Sequence, residues 1–258
     1  MALMSDGEGV PGHQPDASRT RELADRLAVV RERIGVAAAA ADRPTPQLIV
    51  VTKFFPASDV RALAGLGVAD VGENRDQEAA AKSAELEDLG LAWHFIGQLQ
   101  SKKAKSVVRY ASAVHSVDRL SLVQTLGRAV SLDQERRRAA GTAAREDLAC
   151  FLQFALDDDA APGGRGGASP VEAEELAEAV AASEGLRLAG VMAVAPQGLQ
   201  PARAFDRLMR ISAAVRTVDP GAVAVSAGMS GDLEEAVAAG ATHLRIGSDV
   251  LGPRPTVG

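Results

Sequence analysis

Lys53 ends a short apolar run, Leu48-Ile49-Val50-Val51-Thr52-Lys53, and Phe54-Phe55-Pro56 follows it. Four aliphatic residues and a threonine read as a buried strand. The amine then sits at a strand tip, where the active sites of barrel enzymes gather. On a rigid stem with an apolar approach, an amine loses its proton readily. It is then a nucleophile for carbonyl compounds, including an aldehyde cofactor. The same residue also fits a plainer role, a lysine that caps a strand and snorkels to water.

A second kind of chemistry is suggested near the C-terminus. Gly228, Met229, Ser230 and Gly231 precede a helix that begins near Asp232, and Gly247-Ser248 supply another small turn. Free backbone N–H groups in such turns, with the helix dipole behind them, suit a phosphate. The alternative is an N-cap by Ser230 or Asp232, with the glycines serving tight turns only. Arg245 lies between Leu244 and Ile246 in an apolar run, so it points to the opposite face and needs an acceptor. A carboxylate such as Glu73 and the ring nitrogen of a ligand both fit. His94, His115 and His243 lie singly in strand-like runs and read as hydrogen-bonded structural residues. No histidine pair has metal-ligand spacing, so no metal is expected. No G-x-S-x-G elbow is present, which argues against an acyl-transfer triad.

The elements that would carry these groups alternate. Strand-like runs cover 48–53, 70–73, 93–97, 113–117, 149–156, 188–194, 222–226 and 242–246. Helical runs lie between them at 58–66, 77–86, 103–110, 120–138, 170–183, 201–218 and 233–239. A further helix with apolar residues Leu23, Leu27, Val30 and Ile34 precedes the first strand. Eight strands with seven helices between them predict an α/β fold, a single (β/α)8 TIM barrel, over residues 19–258. An open doubly wound sheet is the structural alternative, although no G-x-G-x-x-G follows the first strand. Residues 1–18 read as a disordered tail, and the acidic, Gly-rich stretch 157–170 as a mobile loop after strand five.

Of the 258 residues, 47% are hydrophobic and only 3% aromatic, so the core must be mainly aliphatic. The net charge of -6 argues against nucleic-acid binding, and Lys102-Lys103-Ala104-Lys105 reads as a solvated helical face. Cys150 is the only cysteine, which excludes an internal disulfide and predicts a buried, inert thiol. No run spans a membrane and no secretory core is present, so a cytoplasmic location is expected.

Taken in order, the motifs at the strand ends resemble the pyridoxal 5′-phosphate homeostasis family, the single-domain relatives of the alanine racemase N-terminal barrel. The motifs are Val51-Thr52-Lys53 with Pro56, Gly72-Glu73-Asn74, His94-Phe95-Ile96-Gly97 with Leu99-Gln100, and His115-Ser116-Val117-Asp118. Gly190-Val191-Met192, Gly228-Met229-Ser230 with Asp232, and Arg245-Ile246-Gly247 continue the series, and the likeness runs from about Arg21 to Pro253. The resemblance implies that Lys53 holds pyridoxal phosphate as a Schiff base. It puts Gly228, Met229 and Ser230 around the phosphate, with Gly247 and Ser248 closing it. It aims Arg245 at the pyridine nitrogen and puts Asn74 on the pocket wall. Two segments depart from the family pattern. Ser101-Lys102-Lys103 stands where an Asn usually precedes the Lys, and Phe154-Ala155 replaces a Val-Asn pair, which implies a lost polar contact near strand five.

Two functions share such a barrel. The resemblance favours a monomeric, non-catalytic carrier that buffers pyridoxal phosphate and delivers it to dependent apoenzymes. The alternative is an amino-acid racemase of low activity. In alanine racemases a tyrosine from an added domain opposes the lysine, whereas the only tyrosine here, Tyr110, lies before strand four. A Schiff-base aldolase is a third class, but its lysine often lies on a late strand.

Overall fold

The computed structural model describes residues 16–157 and 166–254. Eight parallel strands close into a barrel in sequence order. They are β1 (Gln47–Val51), β2 (Asp70–Glu73), β3 (Ala92–Phe95), β4 (Ala111–Val117), β5 (Leu148–Gln153), β6 (Leu186–Met192), β7 (Ala224–Ser226) and β8 (His243–Ile246). Closure, which periodicity could not decide, is made by β8 pairing with β1, with Ile49 opposite Arg245 and Val50 opposite Ile246. The helices between them are α2 (Ala57–Gly65), α3 (Asp76–Glu85), α4 (Ala104–Val107), α5 (Leu120–Ala139), α6 (Ala173–Ala181), α7 (Pro201–Val218) and α8 (Leu233–Ala239). α1 (Ala17–Ala40) precedes the barrel, and a short α9 (Ser248–Leu251), absent from the sequence expectations, follows β8.

The helix boundaries reflect local chemistry. α1 starts before the expected tail ends, because the Asp16 side chain accepts from Ser18 N–H at 3.0 Å and caps it. The rest of that expected tail, residues 1–15, lies outside the described residues. The fourth helix is shorter than its periodicity suggests: a 3-10 turn over Ser101–Lys103 leads into one turn of α-helix. Of the Gly-rich stretch, 158–165 lie outside the described residues. Its far flank returns to the sheet, with Ala155 N–H donating to Ala168 O and Ala168 N–H to Gln153 O.

Two apolar layers result. The larger packs the outward strand faces against the helices, with Leu27, Leu63, Val71, Val114, Leu126, Cys150 and Leu244 among its members. The smaller, Ala113, Ala149, Phe151, Ala189 and Met192, lies inside the barrel. Barrel interiors are ordinarily filled by bulky branched side chains. Here the alanines leave room for His94, His115, Ser226 and Arg245, all buried. At Gly190 (φ +152°) an added Cβ would lie 1.9 Å from the Ala224 carbonyl oxygen, so β6 and β7 approach too closely for any side chain. No helix among the described residues is long and apolar enough to cross a membrane.

Candidate functional site at the barrel mouth

Parallel strands deliver all their C-terminal ends to one mouth. Thr52 and Lys53 follow β1, Asn74 follows β2, Gly228 to Ser230 follow β7, and Gly247 and Ser248 follow β8. The register sets them side by side. Val51 pairs with Gly72 and Val50 with Ile246, so Lys53 emerges between Asn74 on one flank and Ser248 on the other. The Ser230 and Ser248 hydroxyls meet at 3.3 Å. Seven of the eight expected residues therefore lie in the turns of this mouth, and Arg245 lies on β8 below them.

Lys53 stands on a pinned turn. Beneath it, the buried Thr52 hydroxyl donates to Glu73 Oε1 at 2.8 Å. Lys82 Nζ donates to the same carboxylate oxygen at 2.6 Å and to the Thr52 carbonyl at 2.9 Å. Burial pushes the Glu73 carboxyl above the usual range, against the pull of the Lys82 cation. The expected alternative of an Arg245–Glu73 ion pair is not formed, because Glu73 turns outward to α3 while Arg245 turns inward. Beside Lys53, Phe54 adopts φ +72° and carries cations on its ring, Arg254 at 3.9 Å, Arg75 at 4.9 Å and Lys53 Nζ at 5.7 Å.

The serine turns present donors. Among the described residues, the N–H groups of Ser230, Gly231 and Ser248 have no acceptor. The Met229 N–H donates to Asp232 Oδ1 at 2.6 Å, which shapes the loop from within. Gly228 (φ +90°) makes the turn possible, since a Cβ there would strike Ala236 and Leu244. Arg33, from α1, braces the loop by donating to the Ser230 carbonyl at 2.9 Å while pairing with Glu234 and Asp249. α8 has only 7 residues, so the turn N–H groups and hydroxyls matter here more than a helix dipole.

Arg245 is buried, donating to Ser226 Oγ at 2.6 Å and to the Ala193 carbonyl at 2.9 Å. Desolvation lowers it to about 10, so it remains a cation at neutral pH, and no carboxylate lies within ion-pair distance among the described residues. Asn74 Oδ1 is buried with no hydrogen-bond partner. Two of the three histidines, His94 and His115, are more connected than their isolated positions in the sequence suggest. His94 Nε2 meets Asp70 Oδ1, His94 Nδ1 meets His115 Nε2, and His115 Nδ1 meets Ser226 Oγ, each at 2.9 Å. Near strand five, Phe154 is buried and its neighbour bonds Ala168, giving an apolar wall at the expected departure from the family pattern. Tyr110 directly precedes β4 and so lies at the opposite mouth from Lys53.

Comparison with known proteins places this arrangement. The family model for the alanine racemase N-terminal domain matches residues 26–255. The pyridoxal phosphate homeostasis protein of Mycobacterium tuberculosis is 42% identical over 250 residues, spanning 92% of this chain and 94% of that protein. Its namesake from Escherichia coli is 34% identical over 241 residues, with 90% and 97% covered. The chain belongs to the pyridoxal phosphate homeostasis protein family. PipY of Synechococcus elongatus, solved with pyridoxal phosphate bound, superposes with TM-score 0.74 at 32% identity, covering 89% of this chain and all of PipY (100%). The barrel of a Corynebacterium glutamicum alanine racemase superposes at TM-score 0.64 with 14% identity over 60% of that enzyme, a likeness of fold.

For this family member, sequence reasoning missed two braces of the site. Lys82 carried a readable signal, since it falls on the buried stripe of α3 with Asp76 and Ala79. Arg33 carried none, because it comes from the helix that precedes the barrel.

Proposed function

We propose that this chain binds pyridoxal 5′-phosphate at the C-terminal mouth of the barrel, holds it reversibly through Lys53, and releases it to dependent apoenzymes. When bound, the cofactor supplies an aldehyde that an uncharged lysine amine can take up covalently. The single observation that carries the reading is the convergence of Lys53 with the paired Ser230 and Ser248 hydroxyls and the unused N–H groups around them. That donor set suits a phosphate. Two further features fit. Asn74 Oδ1 is a buried acceptor without a partner, and Arg245 is a buried cation whose hydrogen-bond partners are neutral oxygens. An arginine facing a pyridine nitrogen donates to its lone pair and disfavours its protonation. An unprotonated ring is a weak electron sink, which suits storage better than turnover.

The residues divide the work. Thr52, Glu73 and Lys82 keep the stem of Lys53 rigid, the serine turns orient the phosphate, and Arg33 keeps the Ser230 loop in place. Tyr110 is remote from Lys53, which supports a carrier over a two-base racemase. To test this, the protein is incubated with pyridoxal phosphate, reduced with borohydride, and digested for mass spectrometry. The label is expected on Lys53, and Lys53→Ala is expected to lose the visible absorbance of the bound cofactor while remaining folded. A label on another lysine would reject the site. Racemization of alanine or serine at ordinary enzyme rates would reject the carrier role.

A further inference from the structure

The barrel interior holds a continuous line of hydrogen bonds from the cofactor side to the opposite mouth. It runs Arg245 Nη1 to Ser226 Oγ (2.6 Å), Ser226 Oγ to His115 Nδ1 (2.9 Å), His115 Nε2 to His94 Nδ1 (2.9 Å) and His94 Nε2 to Asp70 Oδ1 (2.9 Å). The direction of every link follows from the first. A guanidinium only donates, so Ser226 Oγ accepts from Arg245. Ser226 is fully buried, and its own hydrogen needs an acceptor. His115 Nδ1 is in place to accept it and must therefore be bare. A neutral imidazole carries one N–H and one lone pair, so His115 donates from Nε2 to a bare His94 Nδ1, and His94 donates from Nε2 to the Asp70 carboxylate. Reversing any link would turn two donors on the Ser226 oxygen and leave its hydrogen without a partner.

We propose that Ser226, His115 and His94 are positioning residues: they form a one-way chain of donors that runs from Arg245 to Asp70 and holds the guanidinium in one orientation beneath the cofactor. The cation heads the chain and the carboxylate ends it, so the dipoles of the three neutral groups line up between opposite charges. Such chains polarise cooperatively. Phe151 fixes the middle link by stacking on the His115 ring, centroids 4.0 Å apart and planes 13° apart. Full burial, the main cause, holds His115 well below its ordinary pKa, which agrees with a neutral ring. The Ala193 carbonyl takes a donor from Nη2, so the guanidinium is tied at both terminal nitrogens. Its remaining donors are left for a ligand. At the far end, Asp70 and His94 line an open cavity of about 410 Å³ together with Arg187 and His243, so the anion that ends the chain borders solvent.

The ligand in this inference rests on the pyridoxal phosphate reading, but the direction of the chain does not, and the experiment separates them. In cofactor-free protein labelled with 15N-histidine, a long-range 1H–15N spectrum at neutral pH is expected to show His94 and His115 as neutral rings with hydrogen on Nε2. A hydrogen on Nδ1 of either ring, or on both nitrogens, would overturn the chain without involving the cofactor. In protein loaded with ring-15N pyridoxal phosphate, Ser226→Ala is expected to shift the ring-nitrogen signal toward the protonated position. Ser226→Thr, which keeps the hydroxyl, is expected to restore the parent signal. A parent signal in cofactor-bound Ser226→Ala would overturn the positioning role. Failure of the parent protein to bind the cofactor would instead reject the cofactor reading, with the histidine spectrum still deciding the chain.

Discussion

Replacing Lys82 by methionine removes the pin beneath Lys53 while conserving length and apolar contact. Lys82 Nζ lies 2.6 Å from Glu73 Oε1 and 2.9 Å from the Thr52 carbonyl. The Glu73 side chain is 1% exposed and that of Lys82 10% exposed. Breaking a buried pair by removing one partner costs about 3–5 kcal/mol, because the other charge is left uncompensated. Glu73 can escape by taking a proton. From an ordinary glutamate pKa, protonation at pH 7 costs about 4 kcal/mol, which caps the penalty at a similar value. The two routes agree, so we expect a loss of about 3–4 kcal/mol at pH 7. In urea unfolding followed by circular dichroism, with a slope of roughly 3 kcal/mol/M, the midpoint falls by about 1 M.

The sign of the pH dependence follows from Glu73, whose folded pKa is already raised by burial and rises further without its lysine. The folded variant then binds a proton that the unfolded chain does not. Stability is retained at or below the unfolded carboxylate pKa and lost as pH climbs through the folded one, so the deficit is largest at neutral pH and shrinks toward acid. The double variant Glu73→Gln with Lys82→Met removes both charges and is expected to recover to within about 1 kcal/mol of the parent, since buried pairs replaced together are often neutral. A single variant within about 1 kcal/mol of the parent at pH 7, or a double variant as weak as the single, would show that the Lys82–Glu73 pair does not hold this turn.

Three further outcomes are expected. Ser230→Asp brings a negative charge to the proposed phosphate turn and should weaken retention of pyridoxal phosphate at least about tenfold by equilibrium dialysis; unchanged retention would leave Ser230 as a loop residue only. Gly190→Ala drives a Cβ into the Ala224 carbonyl and should cost at least about 3 kcal/mol, seen as a melting point lower by about 6 °C or more. His243 is held down to about 4, chiefly by burial, so the unfolded chain takes up its proton first as pH falls below about 6.5. Stability is full above that value and declines by about 3 kcal/mol from this residue by pH 4; His243→Gln should lose less over the same window, and an equal loss would reject the assignment.

The alternation of eight strands and their helices was legible in the chain, because apolar runs of strand length and the helical period are local properties. β2 at Asp70–Glu73, α7 at Pro201–Val218 and α8 at Leu233–Ala239 lie where the pattern puts them. It also set Lys53 at a strand tip and the small residues of 228–231 and 247–248 after the last two strands, since turn chemistry is written in consecutive residues. Which of these groups meet depends on the folded barrel. The Ser230 and Ser248 hydroxyls converge because β7 and β8 are neighbours in a closed barrel. Arg245 takes Ser226 and the Ala193 carbonyl, and leaves Glu73 to Lys82, because pleat direction and closure put the two charges on opposite faces of the sheet. His115 meets Ser226 across 111 positions of sequence. Period-two patterning can say that both side chains point inward, but partners across the barrel depend on strand register and closure, and these belong to the whole sheet.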